Sequence, residues 1–85
     1  MVTFVCRNDA STPIRLMLEP WGESFEITSN SFVRLEIRGE SAKSLEVAWT
    51  EAGLVAWPPS ESTVSVLSHT GAVLGEDIAP RPTTP

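Results

Sequence analysis

Cysteine and histidine are almost missing from this chain, and each absence closes off a class of chemistry. Cys6 is the single cysteine among 85 residues, so no intrachain disulfide can form. Small secreted domains usually carry such bridges, and no basic stretch leads into an apolar one at the start. The expectation is a cytoplasmic protein. There is one histidine, His69. A blue-copper centre needs two His and a Cys, and structural zinc needs four Cys or His ligands in paired spacing. No Asp-x-Asp-x-Asp-Gly calcium loop occurs. No metal and no cofactor is expected, and Cys6 reads as a small hydrophobe beside Phe4.

Cations are also scarce. Eleven acids face five Arg and one Lys, a net charge of −5. Phosphate neutralisation needs a cationic face, so nucleic acid is not expected as a partner. The longest unbroken apolar run is Leu54-Val55-Ala56-Trp57, too short to span a bilayer, and no membrane partner is expected. The five glycines stand apart from one another. They punctuate turns and build no phosphate cradle.

What the chain does have is alternation. Apolar and polar residues alternate over Val2–Arg7, Ile14–Glu19, Glu23–Thr28, Phe32–Arg38 and Lys43–Thr50. Shorter runs follow at Leu54–Trp57, Thr63–Ser68 and Ala72–Glu76. Half-buried antiparallel strands require this period of two. No window carries a helical apolar stripe. The pattern predicts an all-β domain, a small antiparallel sandwich or flattened barrel of seven to eight short strands.

The connectors agree with that reading. Asn8-Asp9-Ala10-Ser11-Thr12-Pro13 is a loop of turn formers, and Ser29-Asn30-Ser31 is a tight turn. Glu51-Ala52-Gly53 and His69-Thr70-Gly71 read as three-residue hairpin loops with Gly at a positive φ. The first loop pairs Thr50 with Leu54, Trp49 with Val55 and Val47 with Trp57. The second pairs Val66 with Leu74 and Leu67 with Val73. Phe4, Leu16, Leu18, Phe25, Ile27, Val33, Leu35, Ile37, Leu45, Val47, Trp49, Val55 and Val66 are then the expected core. Residues 1–77 read as one domain, and 78–85 as a mobile Pro-rich tail.

Catalytic patterns are weak. Ser68 and His69 are neighbours at a strand end and point apart. No Gly-x-Ser-x-Gly elbow is present. Glu19, Glu23 and Glu26 gather near one loop, and Glu36 and Glu46 read as outward residues of neighbouring strands. Glutamates interleaved with Arg34 and Arg38 fit a solvated sheet face better than a glycosidase pair. The chain is therefore not expected to be an enzyme.

The string Leu16-x-Leu18-Glu19-Pro20-Trp21-Gly22-Glu23, followed by Phe25-x-Ile27, resembles a pattern in short uncharacterised bacterial all-β proteins with a Glu-Pro-Trp-Gly loop. In those the loop links two N-terminal strands. The resemblance covers the first half of the chain. It implies an all-β fold and a bacterial source, and no activity. Asn8-x-x-Ser11-x-Pro13-Ile14 is similar to the first loop of immunoglobulin-like and cupredoxin-like sandwiches.

The expected function is a non-catalytic protein-interaction domain, binding a protein partner or a second copy. The register above turns Ala48, Leu54, Ala56, Leu67 and Val73 outward, and Leu54, Leu67 and Val73 are the candidate partner surface. The alternative is a small ligand- or carbohydrate-binding module that stacks its ligand on Trp21, with Trp57 as a second platform. Trp21 has a structural role open to it as well, as a plug for the end of the sandwich. A third reading is a small acidic inhibitor or immunity-type protein that blocks a basic enzyme.

Overall fold

The computed structural model describes residues 1–19, 21–39, 45–59 and 61–78. Eight strands follow one another: β1 (Val2–Asn8), β2 (Ile14–Leu18), β3 (Glu23–Ile27), β4 (Ser31–Arg38), β5 (Glu46–Thr50), β6 (Gly53–Trp57), β7 (Thr63–Ser68) and β8 (Val73–Ile78). They form two four-stranded sheets, sheet A in the order β1-β4-β7-β8 and sheet B in the order β3-β2-β6-β5. All neighbours are antiparallel except β2 and β6, which run parallel. The two sheets make a small all-β sandwich. No helix lies among the described residues.

The alternation in each run explains which side is buried. Sheet A sends Cys6, Val33, Leu35, Ile37, Val64 and Val66 into the core. Sheet B adds Leu16, Leu18, Ile27 and Ala56. Val2, Phe4, Ile14, Trp21, Phe25, Leu45, Leu54 and Ile78 pack around that centre half-buried. Ile78 closes β8 opposite Val64, so the ordered ladder reaches one residue further than the expected boundary. The rest of the expected tail lies outside the described residues.

The β5–β6 hairpin corrects the expected register. Thr50 pairs with Gly53, Trp49 with Leu54 and Val47 with Ala56. The loop holds two residues, Glu51 and Ala52, and Gly53 is the first of β6. A slip of one residue exchanges faces. Leu54 and Ala56 therefore turn inward, while Val55 and Trp57 turn outward. Val55 is buried, but on the far side of sheet B from the core. Val47 and Trp49 share the inner face with Leu54 and Ala56. They are still 45% and 68% exposed, because β5 is the last strand of its sheet. Gly53 has φ +128°, and a Cβ there would fall on the carbonyl oxygen of Arg15. The close approach of β6 to β2 fixes where this glycine sits.

The β7–β8 hairpin keeps the expected three-residue loop. The Ser68 N–H donates to Ala72 O at 2.8 Å and the Gly71 N–H to Ser68 O at 2.9 Å. Gly71 has φ +87°. Leu67 faces Val73 as expected, but Val66 then faces Gly75 in place of Leu74. The bulge brings Gly75 beneath the Phe25 ring of the other sheet. A Cβ on Gly75 would stand 2.9 Å from Phe25 Cζ.

Asn8 has the identity of a loop residue, yet it ends β1 and is buried. Its side-chain amide donates to Thr12 O at 2.8 Å, Ile27 O at 3.0 Å and Thr28 O at 3.2 Å. Its Oδ1 accepts the Ala10 N–H at 2.9 Å. One buried amide thereby ties the β1–β2 loop of the chain to the end of β3. Full satisfaction of that amide is what makes its burial tolerable. Glu36 and Glu46, expected on neighbouring strands, belong to different sheets.

Candidate interaction surfaces

Three surfaces remain once the core is closed. The first is the outer face of sheet A. Cross-strand pairing sets Val5 beside Arg34, Arg34 beside Leu67, and Leu67 beside Val73. This row crosses all four strands. Val5 and Val73, near its two ends, are 56% and 57% exposed. Leu67 and Arg34 are half-buried between them. The Nε of Arg34 is shielded and has no hydrogen-bond partner. Arg7 and Arg38 stand on the same face, each beside a carboxylate. Arg7 lies 3.2 Å from Asp9 and Arg38 lies 3.6 Å from Glu36. Phe32 pairs with Arg7 across the ladder, and its ring meets His69 edge-on at 6.3 Å between centroids.

The second surface is the outer face of sheet B. Its central row runs Ser24, Met17, Val55, Ala48. Beside it stands Trp57, opposite Glu46. The Glu19 N–H donates to Ala56 O at 2.9 Å, which carries the parallel ladder on and brings Glu19 alongside Trp57. Trp57 is 38% exposed. On the other flank Arg15 pairs with Glu26 across the ladder.

The third surface lies at the tip of the β5–β6 hairpin. Here a cleft of about 710 Å³ is open to solvent. Its apolar wall is Ile14, Phe25 and Trp49, and Arg15, Glu26 and Glu51 supply charge.

The expected site residues are thus divided among different surfaces. Leu67 and Val73 are neighbours on the outer face of sheet A. Leu54 is separate from them, on the inner face of sheet B and half-buried against the core. Trp21 folds back onto the core, with its indole N–H buried and unpartnered. Trp57 stands on the outer face of sheet B. Sequence reasoning missed Val5 and Arg34 as neighbours of Leu67. β1, β4 and β7 are not consecutive, so no local pattern announces their pairing. The alternation of β5 points Trp49 toward the core, and only the edge position of the strand exposes it.

The nucleophile candidates are occupied or shielded. The Ser68 hydroxyl lies 2.9 Å from Thr70 Oγ1 and accepts the Ala72 N–H at 3.1 Å. His69 is exposed at the loop tip. Cys6 is buried and unpaired, and burial pushes its thiol pKa up, away from the reactive thiolate. Among the described residues no group of three His, Cys, Asp or Glu side chains is placed to hold a metal. Among the described residues no helix is long and apolar enough to cross a membrane. No family model, curated protein or solved structure matches this chain.

Proposed function

We propose that this chain is a non-catalytic protein-interaction domain and that the outer face of sheet A is its contact surface. The row Val5, Arg34, Leu67, Val73 carries the reading. Scattered exposed apolar residues are ordinary, whereas a row continuous across four strands is the kind of patch that marks an interface. Arg at the middle of an apolar patch suits an interface better than a bare solvated face, since Arg is enriched among residues that dominate binding energy. The acidic balance of the chain supports a protein partner and disfavours nucleic acid. The unpaired thiol of Cys6 supports a cytoplasmic location, and the Glu-Pro-Trp-Gly resemblance supports a bacterial source.

The test is selection of protein fragments from a displayed library on the immobilised domain. Retained binders are then measured against a Val5→Lys/Val73→Lys variant. Their affinity should fall at least tenfold while the variant keeps its melting temperature. Binders that ignore the double substitution would place the contact elsewhere and sink this assignment.

A second reading rests on the cleft beside Trp49. An exposed indole facing a cleft with mixed polar groups suits a sugar ring. Trp49 then replaces Trp21 as the stacking platform, because Trp21 is turned into the core. A glycan panel read by tryptophan fluorescence, repeated with Trp49→Ala, tests it. No glycan response in the parent protein rules it out.

A further inference from the structure

The outer faces of the two sheets differ in their balance of charge, arginines outnumbering carboxylates on sheet A and glutamates outnumbering arginine on sheet B, and both are four strands wide. Sheet A shows Arg34 within a row of Val5, Leu67 and Val73, with Arg7 and Arg38 on either side, paired to Asp9 and Glu36. Sheet B shows Ser24, Met17 and Ala48 with Val55 buried between them, flanked by Glu19, Trp57 and Glu46 on one side and by Arg15 and Glu26 on the other. An indole with a carboxylate on each side is a seat for a guanidinium. The ring face attracts the cation, and the carboxylates accept its N–H groups. Among the described residues the two ion pairs formed by side chains, Arg7 with Asp9 and Arg38 with Glu36, both belong to the sheet A side. Among the described residues no cation lies within ion-pair distance of Glu19 or Glu46.

We infer that copies of this chain stack face to face, the arginine face of one on the tryptophan-glutamate face of the next. The inference rests on the interaction-domain reading and names its partner as a second copy. Both faces are four strands wide, and three of the four residues in the middle row of each are apolar. Strand spacing of about 4.8 Å and a rise of about 3.4 Å per residue make each face roughly 19 by 17 Å. That is small for a specific interface, so one joint is weak. The contact joins two different surfaces. It is therefore heterologous, and without closure into a ring it repeats in a line. Charge is central to it, so salt should weaken it.

The experiment uses sedimentation velocity on the full chain over a wide concentration range at low and high salt. Two variants accompany it, Arg7→Gln/Arg38→Gln on one face and Glu19→Gln/Glu46→Gln on the other. Melting temperature and circular dichroism confirm that both are folded. The parent chain should pass beyond the mass of two copies at low salt and return to one copy at high salt. Each variant alone should bind its own kind at least tenfold more weakly. Mixed, the two variants retain one intact face each and should form a pair of two chains that grows no further.

Three results overturn the inference. The parent chain stays at the mass of one copy at every concentration, or it forms a closed dimer that mixing the variants does not restore, or both variants associate as the parent does. The displayed-library selection reads the sheet A contact without any self-association. A failure here with success there rejects the second copy as partner and leaves the interaction-domain reading standing.

Discussion

The β5–β6 and β7–β8 hairpins turn on nearly the same string. One reads Thr50-Glu51-Ala52-Gly53 and the other Ser68-His69-Thr70-Gly71: a hydroxyl residue, two others and a glycine. They make different turns. Ser68 curls its hydroxyl back over the loop, accepting the N–H of Thr70 at 3.3 Å and of Ala72 at 3.1 Å. Its glycine stays inside the loop at φ +87°. Thr50 instead donates its hydroxyl to Gly53 O at 2.9 Å, across a loop of two residues. Gly53 has already joined the ladder, where it passes the Arg15 carbonyl too closely for a Cβ. The string says that the chain turns. A neighbouring strand decides by how many residues, and that one residue reverses the faces of Leu54 through Trp57.

The contrast is most sharply tested at its two glycines. Gly53→Ala should be the most damaging, about 3 kcal/mol, because strain at φ +128° adds to a clash with backbone that cannot step aside. Chemical denaturation measures it. A cost no larger than that of Gly71→Ala would mean the approach to Arg15 is not what shortens the loop.

Gly71→Ala comes next, at about 1 kcal/mol. Here only the conformation is costly, since the nearest atom to a new Cβ is Arg34 Nη2 at 3.5 Å. Gly71→Asn should recover much of the loss, because Asn visits the left-handed region more readily than other non-glycine residues. If Asn is as harmful as Ala, contact and not backbone angle governs the site.

Ser68→Ala should cost about 0.5–1 kcal/mol by removing the hydroxyl that organises the longer loop. Faster amide exchange should be confined to residues near the β7–β8 turn. Exchange that quickens equally in the β5–β6 turn would deny that the two loops are held differently.

The smallest effect is expected for Trp49→Thr. A threonine suits a strand and the indole it replaces is mostly in water, so the stability measured by chemical denaturation should change by no more than about 0.5 kcal/mol. A loss of several times that amount would return Trp49 to the core and restore the longer β5–β6 loop.

The strands themselves were legible, because a strand with one wet face writes its period into the sequence. Val33, Leu35 and Ile37 against Arg34, Glu36 and Arg38 show it most clearly. Position within a sheet was not legible. Val47 and Trp49 alternate as well as any core pair, and they stay exposed because β5 ends its sheet among the described residues. Asn8 carried a turn former's identity, and only the arrival of Ile27 and Thr28 turns it into a buried tie. The candidate surface was half legible. Leu67 and Val73 face each other through a local hairpin that the glycine of the loop announces. Val5 and Arg34 join them only through pairings between strands distant in the chain, which leave no trace in any short window.

The parallel contact of β2 with β6 also bears on how fast the chain can fold, since it joins strands far apart in sequence. The hairpins need only local closure, on the order of microseconds. Between β2 and β6 the chain turns back as β3, crosses to the other sheet as β4 and returns as β5. Such long loops close at an entropic cost that nothing offsets until the strands meet. Folding over milliseconds to seconds is the scale for topologies of this kind. Through that interval the open side of β2 holds its unpaired backbone groups toward solvent, next to Leu16 and Leu18. Two unfinished molecules that meet then have a strand to share. Recovery of this protein from denaturant is therefore a race between an intramolecular closure and a bimolecular encounter. Dilution helps it, however stable the finished sandwich is.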